Sequence, residues 1–177
     1  MASEHESPAL PPVAVVVSRY NVSVTDRLVE GALDAYALRG GDPESVHVFH
    51  APGSYELPVL AMAAAETGRY RGVVALGCLI RGETRHDRYI AEAVAHGLMQ
   101  VSVQTGVPCG FGLLTVESGK QARARAGGDK GNKGAETMSA VLETIASIGA
   151  IKEGRPPVLE SNDDERPDKA ARKESED

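Results

Sequence analysis

The stretch Arg81-Gly82-Glu83-Thr84-Arg85-His86 brings together two guanidinium groups, a carboxylate, a hydroxyl and an imidazole in six residues. It runs directly into a helical pattern. The free N–H groups and the dipole at a helix start favour an anion, and Thr84, Arg81 and Arg85 add donors and positive charge. Such a loop suits a phosphate or carboxylate, although a capped helix with solvated arginines would read the same way. His86 stands at that helix start, where the dipole disfavours an added positive charge. That suits general acid–base work near neutral pH. Two rings, Tyr20 and Tyr55, fall in other predicted loops of a chain with no Trp, two Phe and five Tyr. Rings on loops can stack on a planar heterocycle or pack beneath the loop. Glu56 beside Tyr55 offers an acceptor for a polyol or N–H, or a helix cap. The segment Arg125–Gly134 holds four glycines and three basic residues, which can wrap an anion or serve as a flexible connection.

Some chemistries lack their signatures. No GxGxxG follows the first strand, and Lys133 is followed by Gly134-Ala135, which breaks a Walker pattern. There is no CxxC or HExxH. His47 and His50, three apart on a strand, point to opposite faces and make a poor metal pair, so no metal is expected.

These residues are positioned by an alternating pattern. The β-branched run Val13–Ser18 reads as a strand, followed by a helix over Val24–Leu38. In that helix Val24, Leu28, Ala32, Leu33 and Tyr36 share a face. Ser23 with Asp26 resembles a capping box, and Gly40-Gly41 end the helix. Val46–His50 is a second strand, and Pro58 occupies the first turn of the next helix. Gly72–Ile80 is nearly continuously apolar, as a central parallel strand covered on both faces must be. A helix over His86–Gln104, a strand over Pro108–Thr115, a short helix over Gly119–Ala126 and a last helix over Ala135–Ile148 complete the series. Four strand–helix alternations imply right-handed crossovers and a parallel sheet between helical layers. In such sheets ligands bind beyond the carboxyl ends of the strands, where the loops SRYNVS, APGSYE and RGETRH lie.

The chain has 177 residues, enough for one ordinary core. Residues 1–12, with three prolines, read as a flexible arm and 13–151 as the folded domain. Residues 152–177 carry nine acids and six bases, a net of −3. They read as a disordered charged tail, unable to bury enough apolar surface to offset ordering entropy. No apolar run approaches the roughly 20 residues a bilayer span needs, and no signal peptide is visible. Cys78 and Cys109 both lie in apolar runs and read as buried reduced thiols, which fits the cytoplasm. The net charge of −6 argues against nucleic acid as a partner.

Taken in order, SRYN, APGSYELP, GCLIRGETRH, GFGLLT and RAGGDKGNKGAE resemble the lumazine synthase family across about residues 13–150. The resemblance implies a three-layer α/β/α sandwich with a four-stranded parallel sheet, flavodoxin-like in type. It implies condensation of 5-amino-6-(D-ribitylamino)uracil with 3,4-dihydroxy-2-butanone 4-phosphate, the penultimate step of riboflavin biosynthesis, with no cofactor. It assigns Tyr20 to stack on the pyrimidine. Ser54, Tyr55 and Glu56 hold the ribityl chain and ring edge, and Cys78, Leu79 and Ile80 line the same pocket. Glu83 and Thr84 bind phosphate, His86 transfers protons, and Arg125 with Lys133 grips the phosphate. Phe111, Arg125 and Lys133 come from a neighbouring subunit of a homo-oligomer, whether pentamer, decamer or 60-subunit shell. The family context also offers riboflavin synthase as a partner. This chain departs from the commoner family pattern after His86, where Asp87 replaces an aromatic residue and Arg88 adds charge. Asp129 stands where a basic or polar residue is frequent. The competing readings are a flavin- or lumazine-binding module without turnover, a different phosphosugar enzyme, and a container shell.

Overall fold

A computed structural model describes residues Leu10–Arg155; the expectations for residues 1–9 and for the tail beyond Arg155 lie outside the described residues. Its elements are β1 (Val13–Ser18), α1 (Val22–Leu38), β2 (Val46–Ala51), α2 (Leu57–Glu66), β3 (Gly72–Ile80), α3 (His86–Thr105), β4 (Cys109–Val116), α4 (Gly119–Ala124), β5 (Ala126–Gly128), β6 (Gly131–Asn132) and α5 (Lys133–Lys152). The first four strands form one sheet in the order β2-β1-β3-β4, parallel throughout. This is the three-layer flavodoxin-like arrangement, and the crossovers follow from the strand–helix alternation.

Both faces of the two central strands are covered, which is why their sequences are almost wholly apolar. Val13, Val15 and Val17 point into one core with Leu28, Tyr36, Met138 and Val141 of α1 and α5. Ala14 and Val16 point into the other, with Leu57, Ala61, Val94 and Leu98 of α2 and α3. All five β1 residues from Val13 to Val17 are at most 1% exposed; burying one such valine side chain is worth on the order of 1.5–3 kcal/mol. Leu10 packs against the first core, and the Tyr36 hydroxyl reaches the carbonyls of Leu10 and Pro11 at 3.2 and 3.0 Å. The domain edge expected at Val13 is thus preceded by backbone tied to α1.

Several local expectations are corrected. The helix expected from Val24 starts at Val22, and Ser23 and Asp26 form no capping box. The chain enters α1 through Asn21, which has the left-handed φ of 58° and makes no side-chain cap. Asparagine is among the few residues that tolerate this conformation. The helix expected over Ala135–Ile148 runs from Lys133 to Lys152. Its start is fixed by the Asn132 side chain, which accepts from the N–H groups of Gly134 (2.8 Å) and Ala135 (3.3 Å). The glycine-rich segment is an ordered antiparallel pair, β5 with β6, turning at Asp129-Lys130, so the short helix stops at Ala124 rather than Ala126. Cys78 is buried and Cys109 only half-buried; both are free thiols.

Candidate active site

Because the sheet is parallel, the loops after β2, β1 and β3 emerge side by side at one edge. They are stitched together by hydrogen bonds and close packing. The Arg19 N–H donates to Ala51 O (2.9 Å) and prolongs the β1–β2 pairing. Asn21 donates through Nδ2 to Cys78 O (2.9 Å), which fixes the β1 loop to the end of β3. The short turn Ser54–Glu56 presses on β3 at Gly77, where any Cβ would lie 2.9 Å from Ser54 Oγ and 2.7 Å from Leu113 Cδ1. A side chain at Gly77 would force Ser54 or Leu113 to shift.

Between these loops lies a cleft of about 390 Å³, within the size range of small-ligand sites. Tyr20 and Tyr55 stand at it with 70% and 65% of their surface exposed, so neither ring is consumed by the core. Ser54, Cys78, Leu79, Ile80, Thr84 and His86 also line it. Eight of the residues expected at a site therefore converge. His86 is the first residue of α3, whose start has no side-chain cap; α4 and α5 are capped by Ser118 and Asn132. The open first turn of α3 leaves N–H donors and the positive end of a 20-residue dipole for an anion. On the outer side, Arg81 pairs with Glu117 (3.3 Å) and Arg88 with Glu92 (2.7 Å). These exposed pairs are worth little to stability.

Burial pushes the Cys78 thiol from its usual 9.0 up to about 11. This thiol is therefore held protonated at neutral pH, and it furnishes cleft wall rather than a nucleophile. Alkylation of Cys78 by iodoacetamide should be negligible at pH 8 and accelerate only as the pH approaches 11. Rapid modification at pH 8, located to Cys78 by peptide mass mapping, would contradict that placement.

Five expected residues do not line the cleft. Glu56 is half-buried at its margin, its carboxylate folded over Gly53. Glu83 is exposed in the β3–α3 loop. Phe111 pairs in register with Ala75 from the edge strand β4, five residues before Ile80 and so about 16 Å short of the strand end. It is 41% exposed there. Arg125 and Lys133, eight apart in sequence, are joined where the β5–β6 pair closes: the Lys133 N–H donates to Arg125 O at 2.9 Å. Arg125 is exposed, and Lys133 Nζ rests 3.0 Å from Glu136. The cleft and this basic pair are thus two separate surfaces of one chain.

The comparisons with known proteins converge on one family. The profile of 6,7-dimethyl-8-ribityllumazine synthase matches residues 11–148. A 6,7-dimethyl-8-ribityllumazine synthase of Thermus thermophilus is 48% identical over 139 residues, 78% of this chain and 88% of that protein. 6,7-dimethyl-8-ribityllumazine synthase 1 of Caulobacter vibrioides is 45% identical over 146 residues, 82% of this chain and 95% of the relative. The synthase of Nitratidesulfovibrio vulgaris is 46% identical over 132 residues, 75% and 85% respectively. The chain belongs to the 6,7-dimethyl-8-ribityllumazine synthase family. The region matched by the family profile contains the whole sheet and every loop of the cleft.

Residues that sequence reasoning did not assign also line the cleft: Asn21, Gly53, Gly82, Asp87 and Ile90. Asn21 was visible within SRYN, and its tolerance of left-handed backbone was the available signal. Ile90 follows His86 by one helical turn, so the helix period alone would have placed it on the same face.

Proposed function

We propose that this protein is a transferase that condenses 5-amino-6-(D-ribitylamino)uracil with 3,4-dihydroxy-2-butanone 4-phosphate, the penultimate step of riboflavin biosynthesis. The products are 6,7-dimethyl-8-ribityllumazine, phosphate and two waters. The observation that carries this reading is the cleft itself: two exposed rings, buried polar atoms and an uncapped helix start meet in one space, in a chain of this family.

In this reading Tyr20 stacks on the pyrimidine, while Ser54, Tyr55 and Glu56 hold the ribityl chain and ring edge. Cys78, Leu79 and Ile80 form the wall beneath. The primary amine attacks the ketone, and water leaves to give an imine. Phosphate is expelled next, and the second amine closes the ring with loss of another water. Glu83, Thr84 and the first turn of α3 receive the phosphate, and charge-assisted bonds from Arg125 and Lys133 stabilise it as it leaves. His86 moves protons at the reacting nitrogen and oxygen atoms. Much of the acceleration is orientation of two already reactive partners.

Arg125 and Lys133 can act there only if another copy brings them, because on their own chain they lie off the cleft. We therefore assign a homo-oligomer, a pentamer or a multiple of it, with each site shared between subunits and Phe111, Arg125 and Lys133 supplied by the neighbour. Apolar side chains left open on α3, Met99 at 64% and Val103 at 76% exposure, support a covered face. No helix among the described residues is long and apolar enough to cross a membrane. We place the reaction in the cytoplasm, which the two free thiols support, and name riboflavin synthase as a partner to test by co-purification.

The decisive experiment mixes the purified protein with both substrates and follows lumazine absorbance and released phosphate together. Equal appearance of both, well above the uncatalysed rate, is expected. Binding of the pyrimidine without phosphate release would make the protein a binding module instead.

A further inference from the structure

Among the described residues, two buried side-chain oxygens have no hydrogen-bond partner: Ser54 Oγ and Asp87 Oδ1. Both residues line the cleft, and Ser54 is only 4% exposed. Folded proteins leave few such atoms unpaired, since each forfeits its hydration without compensation. Two in one cleft therefore call for donors from outside this chain. Asp87 is the second residue of α3, where a carboxylate gains from the helix dipole. That gain does not pair Oδ1. Its basic neighbours do not either: Arg81 and Arg88 are engaged by Glu117 and Glu92, and Arg85 forms no ion pair among the described residues.

The sign of the charge selects the ligand group. A carboxylate beside the anion-receiving turn repels a phosphate, and the neighbour's cations, Arg125 and Lys133, are assigned to that phosphate, so the donor left for Oδ1 is a neutral one. We propose that Asp87 Oδ1 is a specificity-determining acceptor for an O–H or N–H donor of the uncharged pyrimidine substrate, with Ser54 Oγ as the companion polar contact. This assignment rests on the reading above that the cleft holds a ribitylated pyrimidine. It gives the position after His86, where this chain departs from the commoner pattern, a task in recognition.

The test uses the full-length protein and two pyrimidines, the ribityl substrate and its counterpart with a methyl group in place of the ribityl chain. Dissociation constants are measured by calorimetry and steady-state constants by lumazine absorbance, for wild type, Asp87→Leu and Asp87→Asn. Asp87→Leu should weaken binding of the ribityl compound and raise its KM by about tenfold or more, with kcat changed less than about threefold. Asp87→Asn keeps a carbonyl oxygen and should recover most of the loss. A loss confined to the ribityl compound assigns the donor to the polyol. An equal loss on both compounds, still recovered by Asp87→Asn, assigns it to a ring or amine N–H. Unchanged dissociation constants in Asp87→Leu, or a loss that Asp87→Asn fails to recover, would overturn the proposal. Wild-type protein that binds the pyrimidine but makes no lumazine would refute the catalytic reading alone, because the calorimetric series still tests Asp87.

Discussion

Arg125→Ala should reduce kcat/KM for the butanone phosphate by about 10²-fold, and His86→Ala by only about tenfold. A hydrogen bond to a charged group contributes about 1.5–3 kcal/mol, and every 1.4 kcal/mol is tenfold. The guanidinium is assigned both to hold the phosphate and to stabilise it as a leaving group, so its loss is felt in binding and in the transition state. His86 is exposed at the start of α3, where water can carry protons in its place. The orientation of amine against ketone, the larger contribution, survives its removal. Steady-state kinetics of the two variants decide the matter. A larger loss in His86→Ala than in Arg125→Ala would sink this ordering and make proton transfer the dominant contribution.

Gly134→Ala should destabilise the fold by about 1–3 kcal/mol or more, or prevent soluble expression, although alanine is the better helix former by about 1 kcal/mol. The reason is a backbone contact between α5 and α1. A Cβ on Gly134 would lie 1.8 Å from Leu28 O and 2.7 Å from Leu28 C, atoms of a helix that cannot move aside without breaking its own ladder. The crossing is tightened by Asn132, which caps α5 and also donates to Arg27 O at 2.8 Å. At Gly31 of α1 a Cβ would meet that same side chain at 2.3 Å. Chemical denaturation of Gly134→Ala beside Gly149→Ala makes the comparison, because a Cβ at Gly149 meets nothing within 4 Å. Equal stability of the two variants would show that the crossing can relax.

The parts of this molecule legible in its sequence are those in which one local pattern decides the outcome. Gly72–Ile80 can only be a central strand because both of its faces must be apolar, and the expected bounds match β3. The loops after the strands could be chosen as the place of chemistry because a parallel sheet delivers them to one edge. What the pattern hid depends on contacts distant in sequence. The start of α1 is set by the left-handed Asn21 and its bond to Cys78, 57 residues away, whereas Ser23 and Asp26 offered a local capping pattern that the chain does not use. The start of α5 at Lys133 was obscured by Gly134, a poor helix former whose value lies in the approach of α1. Nor does periodicity reveal that Phe111, Arg125 and Lys133 sit off the cleft. That follows from strand register and from the β5–β6 turn.

The tie from Asn21 to Cys78 carries a consequence for how this protein is made and kept. The three loops of the cleft belong to strands adjacent in space but far apart along the chain, so no nascent fragment ending before β3 contains a binding site. Affinity for a pyrimidine is then a property of the completed sheet, and whatever occupies the cleft acts as a chaperone for the native state. At 100 times its dissociation constant such a ligand adds about 2.7 kcal/mol to stability. A cell well supplied with the substrate thereby protects the enzyme that consumes it, and one starved of it leaves the same polypeptide closer to its proteases.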